Sequence, residues 1–216
     1  MNHYQYVIFD VDGTLLDTTE GIQLAVSKTI MMENLRPLSN EELLTFIGPP
    51  IQESFRRFYE LSDARIQELT TSFRNNYSGE YLLRAREYDG LCSVCRQMKE
   101  MGVKMAVATF KRQDYAEKIV KFFPTGKYME FVFGADHENK LKKADIITLA
   151  KNSLGASKED TVLMIGDSSY DAIGAEKLGI DFLGVTYGFG FKTEKDVMQY
   201  KSIGCVNKPM EILLYI

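Results

Sequence analysis

No apolar run in the 216 residues approaches the roughly 18 needed to span a bilayer. No basic stretch precedes an apolar one at Met1–Tyr6, so neither a membrane anchor nor a secretion signal is expected. Cysteine is scarce and odd in number, at three, which argues against a disulfide framework and for a reducing, cytoplasmic compartment. Basic residues are not in excess: 26 Lys and Arg stand against 30 Asp and Glu, for a formal charge of −4 and a pI of about 5.4. Such a chain lacks the electrostatic footprint of a nucleic-acid binder. Internal repeats, low-complexity tracts and long linkers are missing as well. What remains is ordinary for a globular protein, 45% hydrophobic and 26% charged, far from the composition of disordered chains. The length allows one large domain, or one of about 150 residues carrying a smaller insertion.

Short apolar runs recur along the chain. Tyr6-Val7-Ile8-Phe9 shows no polar alternation, the pattern of a central parallel strand covered on both faces. Similar runs lie at Val103–Ala108, Thr161–Ile165 and Asp181–Val185, with a weaker one at Phe131–Phe133 and an edge-like one at Ser202–Val206. Helical patterns separate them at 92–101, 114–123, 144–154 and 170–178, and Gly or Pro follows each. Cys92 and Cys95 form a C-x-x-C at the start of the first of these, and read as reduced, partly buried helix residues. Alternating strands and helices predict an α/β fold with a doubly wound parallel sheet that binds ligands at the carboxyl ends of its strands.

Between Leu16 and about Arg86 only helical periods appear. Thr18 or Thr19 is placed to cap a helix running to about Leu35, Ser39 and Glu42 match a capping box, Gly48-Pro49-Pro50 breaks the chain, and helices are expected over 55–59 and 64–81. Residues 1–16 and 87–216 are therefore expected to form the α/β core and 17–86 an all-helical insertion. Leaving the carboxyl end of the first strand, the insertion reads as a lid.

Chemistry concentrates at the strand ends. Asp10-Val11-Asp12-Gly13-Thr14 closes the first strand. Close carboxylates in a dry site repel unless a cation neutralises them, so this pair suits Mg²⁺ binding with one carboxyl kept for proton transfer. Gly166-Asp167-Ser168-Ser169-Tyr170-Asp171 closes a later strand, and its four-residue spacing sets both acids on one face of a starting helix. Capping explains one such acid. Two acidic strand ends in one parallel sheet converge on one edge and together supply three or four hard oxygen ligands. Thr109 ends the 105–108 strand, where its hydroxyl and the next N–H can donate to a phosphate oxygen. Lys143 opens the 144–154 helix on the same edge, where an ammonium would balance carboxylates and stabilise a transferring phosphoryl group.

Asp10-x-Asp12-Gly13-Thr14, Thr109, a downstream Lys and Gly166-Asp167-x-x-x-Asp171, in that order, resemble the four motifs of the haloacid dehalogenase superfamily over essentially the whole chain. The insertion resembles that superfamily's C1 cap, on a Rossmann-like core. Phe46–Pro50, Asp171–Ala175 and Gly184–Gly190 resemble its phosphoglycolate phosphatase-like branch. The resemblance implies a Mg²⁺-dependent phosphatase acting on a small phosphorylated metabolite, a cytoplasmic monomer or small homo-oligomer with no nucleic-acid or membrane partner. It implies Asp10 as nucleophile and Asp12 as acid and base, with Asp10, Asp167 and the Asp12 backbone carbonyl on the metal and Asp171 supporting it. Thr109 and Lys143 would hold the phosphate, with Lys140 and Lys142 as alternatives to Lys143. Phe110 stands where many relatives carry Asn or Ser. Phe110, Lys111, Gly48 and Pro49 are the candidate substrate-binding residues; the Gly48-Pro49 loop would supply selectivity, because the core groups are committed to phosphate and metal. A nucleotidase or pyrophosphatase is an alternative. A phosphomutase is disfavoured, since Ile22 occupies the place of the cap histidine and the only histidines are His3 and His137. A phosphorylated receiver domain would have no helical insertion.

Overall fold

The computed structural model describes residues 4–137 and 140–216; His3 lies outside them. The chain divides into two compact units, Thr18–Arg86 and the remainder. The boundary falls one residue later than the sequence reading placed it. The smaller unit is helical: α1 (Thr19–Met32), α2 (Asn40–Leu44), α3 (Ile51–Phe58) and α4 (Asp63–Asn76), the last continued by a π-helical turn at Tyr77–Tyr81. The capping box forms as the spacing requires: the Glu42 N–H donates to Ser39 Oγ at 3.1 Å, and the Ser39 N–H to Glu42 Oε2 at 2.7 Å. The α3 helix starts earlier than expected because Pro50, with its fixed φ, stands directly before its first turn. The unit is held by aromatic packing. Buried Phe55 meets Phe46 edge-on at 5.3 Å and Phe73 at 6.5 Å, and Phe46 stacks on Phe58.

The larger unit is built on strands β1 (Tyr6–Phe9), β2 (Leu16–Asp17), β4 (Lys104–Arg112), β5 (Met129–Ala135), β6 (Val162–Gly166), β7 (Asp181–Val185) and β8 (Gly204–Val206), while β3 (Arg86–Glu87) straddles the boundary. Helices α5 (Leu91–Glu100), α6 (Gln113–Phe122), α7 (Lys143–Ser153), α8 (Ser169–Leu178) and α9 (Glu194–Val197) connect them. Six strands form one parallel sheet in the order β5-β4-β1-β6-β7-β8. The two-residue strands β2 and β3, absent from the sequence reading, pair with each other where the chain passes from one unit to the next.

The unbroken apolar runs settle at the centre of this sheet. On one face Ile8, Ala106, Met164 and Phe182 pack with Ile146, Ile147 and Ala150 of α7 and with Ala172 and Ala175 of α8. The alternate residues Val7, Phe9, Met105, Val107, Leu163 and Ile165 are buried too, as a sheet covered on both faces demands. One strand end moves. The β4 strand does not stop before Thr109 but runs on to Arg112, with a register shift against β5 between Ala108 and Arg112. Among the described residues no helix is long and apolar enough to cross a membrane. None of the three cysteines is in a disulfide, and burial pushes the Cys95 thiol up to about 12, which removes it from thiolate chemistry.

Phe55→Ala is expected to destabilise the protein by about 3–5 kcal/mol in urea unfolding, since the void sits between rings that cannot collapse freely. A loss below about 1 kcal/mol would take Phe55 out of the helical unit's core.

Candidate active site

The first strand hands its chain to a turn that carries two buried acids, Asp10 and Asp12. The Asp10 N–H bonds Ile165 O at 3.0 Å, tying the end of β1 to β6. The Val11 carbonyl then accepts from the N–H groups of Thr14, Leu15 and Leu16 at 2.9–3.2 Å, closing the turn. Gly13 sits at φ +79°, and a Cβ there would overlap the Asp167 carboxylate. Only glycine meets both conditions.

Asp167 follows β6 and meets a second loop. Oδ2 of Asp167 accepts the backbone N–H groups of Phe189 at 2.6 Å and Gly190 at 2.9 Å. Gly188 in the same loop has no room for a Cβ against Gly13 O and that carboxylate. In the sequence Gly184–Gly190 is only a branch likeness; its hold on Asp167 depends on the fold, which brings residues 189 and 190 to the end of β6.

Asp171 serves two ends. Its Oδ2 accepts the Ser168 N–H at 3.1 Å and the Ser168 hydroxyl at 2.6 Å, capping α8, while Oδ1 lies 2.7 Å from Lys143 Nζ. The same ammonium is 2.8 Å from Asp10 Oδ1. Lys143 is buried as the first residue of α7, whereas Lys140 and Lys142 are exposed. The Phe110 ring lies 5.5 Å from Lys143 Nζ and meets Tyr170 edge-on.

Thr109 is buried, and its Oγ1 accepts the Lys111 N–H at 3.2 Å. Lys111 was grouped with substrate-binding residues in the sequence reading; its ammonium lies 3.1 Å from Asp12 Oδ1, with both side chains buried. Because β4 continues through this segment, Thr109 and Lys111 share one face, two residues apart. No sequence signal marks this, because the apolar run ends at Ala108 while the strand continues to Arg112. Gly48, at φ +98°, and Pro49 lie in the helical unit, beside buried Phe46 and Ile47.

Among the described residues six charged side chains are buried, Asp10, Asp12, Asp167, Asp171, Lys111 and Lys143, and all six belong to this cluster. Burial, reinforced by Asp171 and Asp12 and opposed by Lys143, raises the Asp10 carboxyl to about 6. Burial, with Asp171 and Asp10, raises Asp167 to about 7 against the pull of the two backbone N–H groups. Burial works against the Lys143 ammonium, but Asp10 and Asp171 outweigh it and hold the group above the ordinary lysine value. Asp10, Asp167 and Asp171 can each direct an oxygen into a group within 4.8 Å of one another. Four acids against two lysines leave two negative charges. An oxygen-only set with that excess fits a hard divalent cation.

The structure is thus a parallel α/β sheet whose carboxyl edge gathers acids and lysines out of water. Residues 7–185 match the haloacid dehalogenase-like hydrolase family, and the chain belongs to that family. It is 30% identical to a 5'-nucleotidase of Pseudomonas aeruginosa over 192 residues, 88% of this chain and 86% of the relative. It is 29% identical to the pyrophosphatase PpaX of Halalkalibacterium halodurans, over 90% of this chain and 88% of that one. A hydrolase of the haloacid dehalogenase-like family from Streptococcus pneumoniae superposes with a TM-score of 0.90 at 26% identity, covering 100% of this chain and 99% of the other.

An acid raised on folding contributes stability in full below its unfolded value, here 3.8. That contribution is lost as the pH rises through the folded value. Metal-free protein should therefore lose stability between about pH 4 and pH 8. Asp167→Asn should flatten that loss, leaving the metal-free variant on the order of 1–3 kcal/mol more stable than the parent at pH 8. Urea unfolding in EDTA at both pH values measures it, and equal slopes would count against a raised Asp167 carboxyl.

Proposed function

We propose that this chain is a Mg²⁺-dependent phosphatase of small phosphorylated metabolites, working through an aspartyl-phosphate on Asp10. The observation that carries the reading is the Asp10 carboxylate itself, buried at the sheet edge with one oxygen on the Lys143 ammonium and a second acid two residues on. One Asp10 oxygen attacks phosphorus as the bond to the leaving oxygen breaks. Asp12 gives its proton to that oxygen and later takes one from the water that releases inorganic phosphate, restoring the Asp10 carboxylate. Lys143, held charged, would lower the cost of negative charge on the phosphoryl oxygens, and the Thr109 hydroxyl and Phe110 N–H are the proposed donors to them. Asp10, Asp167 and the Asp12 carbonyl would hold Mg²⁺, with Asp171 supporting them, and the ion would supply further charge neutralisation. The names of the relatives put nucleoside monophosphates and inorganic pyrophosphate first in any substrate panel. The Gly48-Pro49 loop is proposed to select among substrates. Its anchor is Phe46, packed on Phe55 and Phe58, which fixes the turn at low entropic cost.

Asp10→Asn should lower turnover of an aryl phosphate by about a thousandfold or more, since the amide cannot accept the phosphoryl group. A variant retaining a few per cent of the parent rate would exclude Asp10 as nucleophile.

Asp167→Ala should raise the Mg²⁺ concentration for half-maximal activity more than Asp171→Ala does. Both Asp171 oxygens are already engaged, by Ser168 and by Lys143. Metal titrations of the two variants decide the order.

A further inference from the structure

We propose that Lys111 is a positioning residue for Asp12, not a grip on the substrate phosphate. The inference rests on the acid–base reading of Asp12 given above. The two buried lysines divide the cluster between them. Lys143 is taken up by Asp10 and Asp171, at 2.8 and 2.7 Å, while the Lys111 ammonium stands 3.1 Å from Asp12 Oδ1. A charge-assisted hydrogen bond between two buried groups fixes both in one geometry. The backbone supports it: Lys111 lies within the register shift of β4, between Ala108 and Arg112, and its N–H is tied to Thr109 Oγ1 at 3.2 Å. The lysine stem is thus set by the strand, and its head sets the carboxylate. Asp12 must meet the leaving oxygen at hydrogen-bond distance both when it donates the proton and when water replaces that oxygen. A carboxylate free to rotate would spend part of its time aimed elsewhere.

Leaving groups separate this role from the alternatives. An alkoxide needs the Asp12 proton as the bond breaks, whereas 2,4-dinitrophenolate departs without one. Lys111→Met should therefore cut kcat/KM, which reports the step that expels the leaving group, at least tenfold more on an alkyl phosphate than on 2,4-dinitrophenyl phosphate. Inhibition by inorganic phosphate should change less than threefold. Lys111→Arg, which keeps a cation near Asp12, should recover part of the alkyl phosphate rate. In an Asp12→Asn background, Lys111→Met should cost less than twofold further, because a residue acting through Asp12 has nothing left to position. The double variant removes both charges of the pair, so its folding does not depend on a stranded carboxylate, and it carries the test if Lys111→Met alone does not fold. Equal losses of kcat/KM on both substrates, weakened phosphate inhibition, or additive losses in the double variant would overturn the positioning role and return Lys111 to the phosphate. If Asp12→Asn itself shows no dependence on the leaving group, the acid–base reading of Asp12 falls, and this inference falls with it.

Discussion

The cost of burying carboxylates governs this protein. Asp10, Asp12, Asp167 and Asp171 are all withdrawn from water at one sheet edge, where each charge is expensive and each raises the cost of the others. They are tolerated because Lys143 stands between Asp10 and Asp171, Lys111 stands on Asp12, and backbone N–H groups of Phe189 and Gly190 point at Asp167. The compensation is incomplete, since two acids are left over. Burial, with the neighbouring carboxylates adding to it, lifts Asp10 and Asp167 to about 6 and about 7. A cluster tuned in this way is expensive as architecture and useful as chemistry, which is the usual signature of a functional site.

The sheet exists in the form that brings these groups together. Parallel strands all release their chains at the same edge, and β1 lies at the centre between β4 and β6. The order places the Asp10–Asp12 turn between Thr109 and Lys111 on one side and Asp167 and Asp171 on the other, while α7 after β5 returns Lys143 to the middle. The backbone gives way where the acids crowd: at Gly13 and Gly188 a side chain would collide with Asp167. Stability and site geometry are therefore one problem here. The apolar face formed by Ile8, Met164, Ile147 and Ala172 holds β1, β6, α7 and α8 in the register on which the ion pairs depend.

Much of this was legible in the chain. The run Tyr6–Phe9 and its counterparts announced buried parallel strands, and the loss of strand signal after Leu16 announced the helical insertion. Asp10, Asp12, Asp167 and Asp171 stood out because acids directly after apolar runs have few uninteresting explanations. The extension of β4 was not legible, because hydrophobic periodicity marks a strand only while both faces meet apolar neighbours. At Thr109 and Lys111 one face meets charged groups instead, so the residue types there are polar and the pattern stops before the strand does. The strands β2 and β3 were missed for a related reason: two residues are too few to show any period.

By itself the sequence determined the alternation of strands and helices, the insertion, the capping box at Ser39 and Glu42, and the identity of the four acids. All of these follow from residues close together along the chain, whose side chains reveal their environment by local spacing. Only the tertiary structure decided that Lys143 and not Lys140 or Lys142 enters the cluster, that Asp171 both caps α8 and binds that lysine, and that Lys111 belongs to Asp12. The reason is separation. The Lys143–Asp10 pair joins residues 133 positions apart, and no periodicity reaches that far. Such a pair is specified by the sheet order that carries two distant strand ends to one edge, where burial leaves each charge no better partner than the other.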